Sequence, residues 1–184
     1  MGDATLPSSV QARNLGVIFD SALSMVPHVN SVCKCAFFNL TLIGRTRKNL
    51  DVRSAKSLVH ALVLSRIDYA NSLLFGVPKS LLGKLQRVKN VAARLIVGVG
   101  KYERISDHLK LLQWLPVEEQ VLFKTALMTF RCLNNTAPPY LSSHVKLYES
   151  KRNLRSIHSR TIVAPSFKLG KYGGRTFTCA APSV

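Results

Sequence analysis

From residue 78 to residue 97 the apolar residues Leu81, Leu85, Val88, Ala92 and Leu95 recur at three- and four-residue spacing, which predicts a helix with one buried stripe. Lys79, Gln86, Arg87, Asn90 and Arg94 fall opposite that stripe, within about a third of the circumference. Lys84 and Lys89 flank it, and Lys101 and Arg104 follow the helix. No acidic residue occurs between Tyr69 and Tyr102. A solvated helix ordinarily mixes signs to gain i,i+4 pairs. A helix that forgoes them suits a row of phosphates, and its apolar stripe demands other elements to cover it.

The same bias runs through the whole chain. In 184 residues there are 26 Lys and Arg against 9 Asp and Glu, a net charge of +17. Such a surplus repels itself unless something anionic lies near. Nucleic acid is the leading partner, since each phosphate contact releases a condensed counterion; a membrane surface or a merely basic exterior are the rivals. The chain is 47% hydrophobic, enough for a core. We expect one compact module over 13–145, a loose leader over 1–12 and a basic, Gly/Ser-rich extended tail over 146–184.

Leu15 to Asp20 favours a strand, which must pair either with the leader or with a sheet outside this chain, because a lone strand leaves its ladder unsatisfied. From His28 to Ile43 the period is helical, with Val29, Val32, Cys33, Ala36, Leu40 and Ile43 on one face. Phe37, Phe38 and Leu42 lie outside that stripe, for a second packing neighbour, an absent domain or base stacking. Gly44 is expected to end the helix, leaving Arg45-Thr46-Arg47-Lys48 as a basic connector.

Asp51 is a candidate N-cap for a helix carrying Ala55, Leu58, Val59, Leu62 and Val63. The same wheel places Arg66, Tyr69 and Leu73 on the buried side, with Asp68 able to serve Arg66 only if the helix bends near Ser65. His60 falls on the polar side. Pro78 suits the first turn of the basic helix. Ser106 is expected to cap a short helix through Leu112, and the apolar stretch Val117 to Leu133 reads as a centrally buried helix. In the tail, Gly170, Gly173 and Gly174 oppose a regular helix, and a strand near Thr161–Val163 is expected. The final residues carry no capping pattern and read as a truncation.

Catalytic signatures are missing. There is no Gly-rich phosphate loop, HExxH or GxSxG. The acids are dispersed over separate elements, and adjacent Glu118 and Glu119 point about 100° apart. Cys33, Cys35, Cys132 and Cys179 lack paired zinc spacing and read as reduced cysteines. No signal peptide or membrane-spanning run is evident, so cytoplasm or nucleus is expected.

Six blocks, in order, resemble the region after the polymerase core in LINE-type (non-LTR) retrotransposon reverse transcriptases of the jockey-like sort. They are RNLGVIFD at 13–20, LVHALVLSRIDY at 58–69, LQRVKNVAARL at 85–95, LQWLPV at 112–117, APPYL at 137–141 and RNLRS at 152–156. The resemblance implies that the strand closes a palm whose sheet lies upstream, and that the helices form a thumb and C-terminal extension. It also implies that the basic face grips template RNA and nascent DNA. The family's Tyr-Ala-Asp-Asp block and endonuclease have no counterpart here, and a Trp-Asn-Ser-Leu-Pro-like block commonly follows where this chain stops. Mg2+ would belong to the parent polymerase; this chain is expected to hold no cofactor and no small-molecule substrate, and to be inactive by itself.

The expected fold is therefore mainly α, a thumb-like helical bundle with one short N-terminal strand and an irregular basic tail. Its expected phosphate contacts are Arg45, Arg47, Lys48, Arg87, Asn90, Arg94, Lys101 and Arg104. Its expected partners are RNA, DNA or their hybrid, and an upstream polymerase core. A co-opted interaction module using Phe37, Phe38 and Leu42, or a remnant without a stable fold, are the alternatives.

Overall fold

The structure, a computed structural model, describes residues 9–148, 161–166 and 173–184. It is mainly helical, with one two-stranded sheet. Two compact units are present: Met1–Ala70 with Val77–Val117, and Asn71–Gly76 with Glu118–Val184.

In the first unit, strands β1 (Gln11–Asn14) and β2 (Val17–Asp20) form an antiparallel hairpin with Gln11 opposite Asp20 and Asn14 opposite Val17. The expected strand thus finds its partner in the segment before it, and the sheet has two strands where one was expected. Leu15 and Gly16 turn the chain with φ of 46° and 83°, so both central residues are left-handed. That geometry matches the twist of a tight hairpin, but it is costly for Leu15. Tyr69 steadies it by donating its hydroxyl to the Leu15 carbonyl at 2.6 Å.

Helix α1 (Val26–Thr46) follows a loop in which the Asp20 carboxylate accepts from the Ser24 and Met25 amides, at 3.0 Å each. Partial desolvation would raise the Asp20 pKa, but the hydrogen bonds from Ser24 and Met25 outweigh it and hold the carboxyl below its ordinary value. Val29, Ala36, Leu40 and Ile43 are buried as the period predicts; Val32 and Cys33 are half-buried. Gly44 does not end α1. It continues helically to Thr46, and a Cβ at Gly44 would meet the Leu95 side chain at 3.7 Å, so the glycine lies against a neighbouring helix. A single Gly costs only about 1 kcal/mol in a helix, which tertiary packing readily overrides.

Asp51 caps α2 (Val52–Val59), accepting from the Ser54 amide at 3.3 Å. The helix then widens into a π-turn (His60–Leu64) and resumes as α3 (Ser65–Asp68). An extra residue in a helical turn rotates everything after it by about 100°. The buried positions accordingly run Ala55, Val59, Val63, then Leu64 and Ile67. Leu58, Leu62, Arg66, Tyr69 and Leu73, expected on the buried face, are exposed. Side chains satisfy carbonyls that the widened turn loosens: Asn39 donates to Leu62 and Ser65 to Ala61, at 3.0 and 2.6 Å.

Helix α4 (Lys79–Val97) begins after Pro78, which occupies the N-cap rather than the first turn. It ends on Gly98, whose φ of 80° and amide bond to Arg94 make a left-handed C-cap. Leu81, Leu82, Leu85, Val88, Ala92, Ala93 and Ile96 are buried, and α4 packs on α1 and α2. Alanines at Ala36, Ala55, Ala92 and Ala93 are fully excluded from solvent and allow close approach of backbones. Helix α5 (Ser106–Leu111) starts at Ser106, with Ile105 at the N-cap position and no side-chain cap, so Ser106 lies inside the helix rather than capping it.

The second unit contains α6 (Val117–Leu133), of which residues from Glu118 onward belong to it. Central burial was expected, but Val121, Thr125, Thr129 and Cys132 make a narrow buried stripe while Leu122, Phe123 and Phe130 are exposed. Thr125 and Thr129 bond back to the carbonyls of Val121 and Thr125, so their hydroxyls are buried without loss. Helix α7 (Pro139–Ser142) follows. In place of a strand near Thr161–Val163 there is one bridge, Leu147 opposite Ile162. The chain ends in a 3-10 turn (Gly173–Arg175), α8 (Phe177–Ala180) and a second 3-10 turn (Ala181–Ser183), so this part of the expected extended tail is helical. The tail cations Lys151, Arg152, Arg155, Arg160, Lys168 and Lys171, and the leader up to residue 8, lie outside the described residues. Among the described residues no helix is long and apolar enough to cross a membrane.

Candidate nucleic-acid interface

The C-terminal end of α4 gathers most of the expected contact residues. Arg47, in a 3-10 turn after α1, donates to the carbonyls of Leu95, Ile96 and Leu50 at 2.9, 2.8 and 2.8 Å. A guanidinium is well placed there, at the negative end of the helix dipole among carbonyls without intrahelical partners. Arg47 therefore acts first as a clamp between α1 and α4. Its neighbours Arg45 and Lys48 stay exposed. Arg94 is half-buried and donates to the Glu103 carbonyl at 3.2 Å, which ties down the loop that carries Lys101 and Arg104. Glu103 in turn faces His108 at 3.4 Å.

Lys101 and Arg104 are exposed, Lys101 with its ammonium 5.9 Å from the centre of the Tyr102 ring. Arg87 is exposed too, seven residues and so about 10 Å up the helix from Arg94. Its Nε donates to the Gly83 carbonyl at 3.3 Å. Asn90 is half-buried and accepts from Gln86, whose own carbonyl oxygen accepts from the Val117 amide. Of the eight expected residues, Arg47, Asn90 and Arg94 thus have internal work. Arg45 and Lys48 flank Arg47 in sequence, Lys101 and Arg104 sit in the loop after α4, and Arg87 lies higher on the helix. Among the described residues none of those five has a carboxylate partner.

Arg87 has other company. Lys84 donates to Asn30 of α1 at 2.8 Å. Burial pushes the Cys33 thiol up, while the nearby charges of Lys84 and Arg87 pull it back. On α1 the face away from the core carries Lys34, Phe37, Phe38 and Arg45. Phe37 and Phe38 are 42% and 63% exposed, so this face alternates cations with accessible rings. Such interleaving suits a groove that tracks a strand by charge and stacks its bases. The spacing of Lys34 and Arg45 around the two phenylalanines was the available signal in the sequence.

Lys89 was expected to flank the apolar stripe, but it is 3% exposed. Its ammonium donates to the Leu115 carbonyl at 2.5 Å and lies 6.0 Å from the Trp114 ring centre. Burial lowers its pKa, and the Asp68 charge partly restores it. The partner sought for Arg66 in Asp68 is thus a partner of Lys89. His60 is exposed and sits edge-on to Trp114 at 5.8 Å.

Among the described residues the carboxylates are spread over separate elements. Asp20 holds the loop before α1, Asp51 caps α2, Asp68 faces Lys89 and Glu103 faces His108. Among the described residues no three His, Cys, Asp or Glu side chains stand close enough to hold a metal. No known protein family, curated protein or solved structure matches the chain.

Proposed function

We propose that this chain is a thumb-like module of a LINE-type (non-LTR) retrotransposon reverse transcriptase, holding RNA, DNA or their hybrid through phosphate contacts. One observation carries the phosphate reading: among the described residues Arg45, Lys48, Arg87, Lys101 and Arg104 are exposed without carboxylate partners, and the sequence carries no acid from Tyr69 to Tyr102. Cations left in that state gain by displacing counterions from a phosphate backbone. The assignment to the reverse-transcriptase family rests on the six ordered sequence blocks.

The test is binding of the purified protein to an RNA–DNA hybrid across a salt series, with a parallel thermal melt. Five phosphate contacts give a log–log salt slope of about −4 to −5. Arg87→Glu and Arg104→Glu each weaken binding to all sequences alike and lower the slope by about one. Sequence-selective loss, or salt-independent binding, overturns the phosphate assignment.

A second reading, a protein-interaction module, is favoured by the exposure of Phe38 and Leu42 on α1, of Leu58 on α2 and of Leu62 in the π-turn. It calls for concentration-dependent association that salt does not weaken, and that Phe38→Ser abolishes.

A further inference from the structure

Between the hairpin, α1 and α3 lies a cleft of about 400 Å³, a size at which small ligands are held. Arg13 and Arg66 line it from opposite elements, with Ser31, Tyr69, His28 and Gly16 among the other walls. Among the described residues no carboxylate lines it. Among the described residues neither guanidinium has a hydrogen-bond or ion-pair partner.

Two devices in the fold converge on this place. The π-turn rotates Arg66 out of the core and onto the cleft wall, where an unbroken α-helix would have placed it on the face that carries Ala55. The left-handed Leu15-Gly16 turn, held by the Tyr69 hydroxyl, brings the hairpin against the same wall. Its closeness shows at Gly16, where an added Cβ would sit 3.6 Å from the Tyr69 ring. Widened helical turns and strained backbone concentrate at functional sites. Burial, and after it the Arg13 charge, disfavour the charged form of His28 on the same cleft.

We infer that this cleft binds a phosphate monoester, with Arg13 and Arg66 forking onto its oxygens and the Ser31 hydroxyl as a further donor. Two guanidinium charges match the dianion of a monoester better than the single charge of a backbone diester. The site is separate from the α4 surface and does not rest on the function proposed above. A monoester can arrive on a free mononucleotide or on the end of a nucleic-acid strand, and the chemistry at the cleft is the same.

Calorimetric titration of the whole chain with inorganic phosphate, in phosphate-free buffer, tests the site. The double variant Arg13→Gln/Arg66→Gln is expected to bind at least about tenfold more weakly. Arg53→Gln/Lys56→Gln, which removes the same charge from the exposed side of α2, should stay within about twofold. Equal weakening by both pairs means diffuse attraction to a basic protein and overturns the inference. So does phosphate binding by a natively melting Arg13→Gln/Arg66→Gln protein that matches the unsubstituted chain. Should that variant fail to fold, amide shifts in the unsubstituted chain decide: changes confined to Gly16, Ser31, Ser65 and Tyr69 support the site, and changes spread over the basic loops sink it. Competition by a mononucleotide and by oligonucleotides with and without a 5′-phosphate separates the two sources. Displacement by neither phosphorylated probe overturns the proposal.

Discussion

Helix α4 and the stretch from α2 through α3 are both amphipathic, yet only one presents the face its spacing predicts. In α4 the i→i+4 ladder is unbroken from Lys79 to Val97, so Leu81, Leu85, Val88 and Ala92 are buried as one stripe. In the other stretch the π-turn adds one residue, and Arg66 and Tyr69 trade places with Leu64 and Ile67. A helical wheel is a valid projection only while every turn has the same residue count. A single wide turn leaves composition and helicity unchanged and still decides which side chains reach solvent.

The strongest way to break this comparison lies within the π-turn. Leu64 is 5% exposed and Leu62 is 40% exposed. Leu64→Ala should cost about 2–5 kcal/mol of unfolding free energy, and Leu62→Ala less than about 1 kcal/mol. Urea melts returning equal losses would mean that the helix keeps a regular register through residue 64.

At the end of α4, Arg47 and its neighbours separate structural cations from available ones. Arg47→Ala removes three carbonyl bonds from a half-buried site and should cost about 2 kcal/mol. Lys48→Ala should leave the melt within about 0.5 kcal/mol while weakening nucleic-acid binding. A reversal of those two outcomes in denaturation and binding assays would mean that the clamp is not formed.

Tyr69→Phe deletes the bond to the Leu15 carbonyl and should cost about 1 kcal/mol, read by denaturation and by faster exchange of hairpin amides. The smallest effect concerns His28, whose pKa is held below its ordinary 6.5 by burial first and the Arg13 charge second. The unfolded chain then takes up this proton more readily than the folded one. Stability from neutral His28 is full above pH 6.5 and is lost as pH falls through the lowered pKa. Urea midpoints should decline on acidification below that pH, and His28→Gln should flatten the decline. An unchanged slope in the variant would remove His28 as its source.

The exposure of the candidate cations was legible where it depends on sequence-local charge. Arg45, Lys48, Arg87, Lys101 and Arg104 are exposed, as a basic surface requires. It was not legible at Arg47 and Arg94, whose partners are carbonyls of Leu95, Ile96 and Glu103, because carbonyl acceptors leave no mark in side-chain patterning. Lys89 misled for a related reason. Its partner Asp68 lies 21 residues earlier in the chain, on a face set by the π-turn. On α6, the run of apolar residues suggested burial all round, but a run cannot say how many neighbours will arrive to cover it.

The sequence by itself determined the helical class, the cap at Asp51, the break around Pro78 and the uncompensated positive charge. Each depends on residues within a turn or two, or on composition. Only the tertiary structure decided the hairpin partner of Val17–Asp20, the rotation after His60, the burial of Lys89 and the two-arginine cleft. Those outcomes depend on which groups are covered and which polar atoms find partners once the elements pack, and that energy belongs to the packed chain rather than to any local pattern.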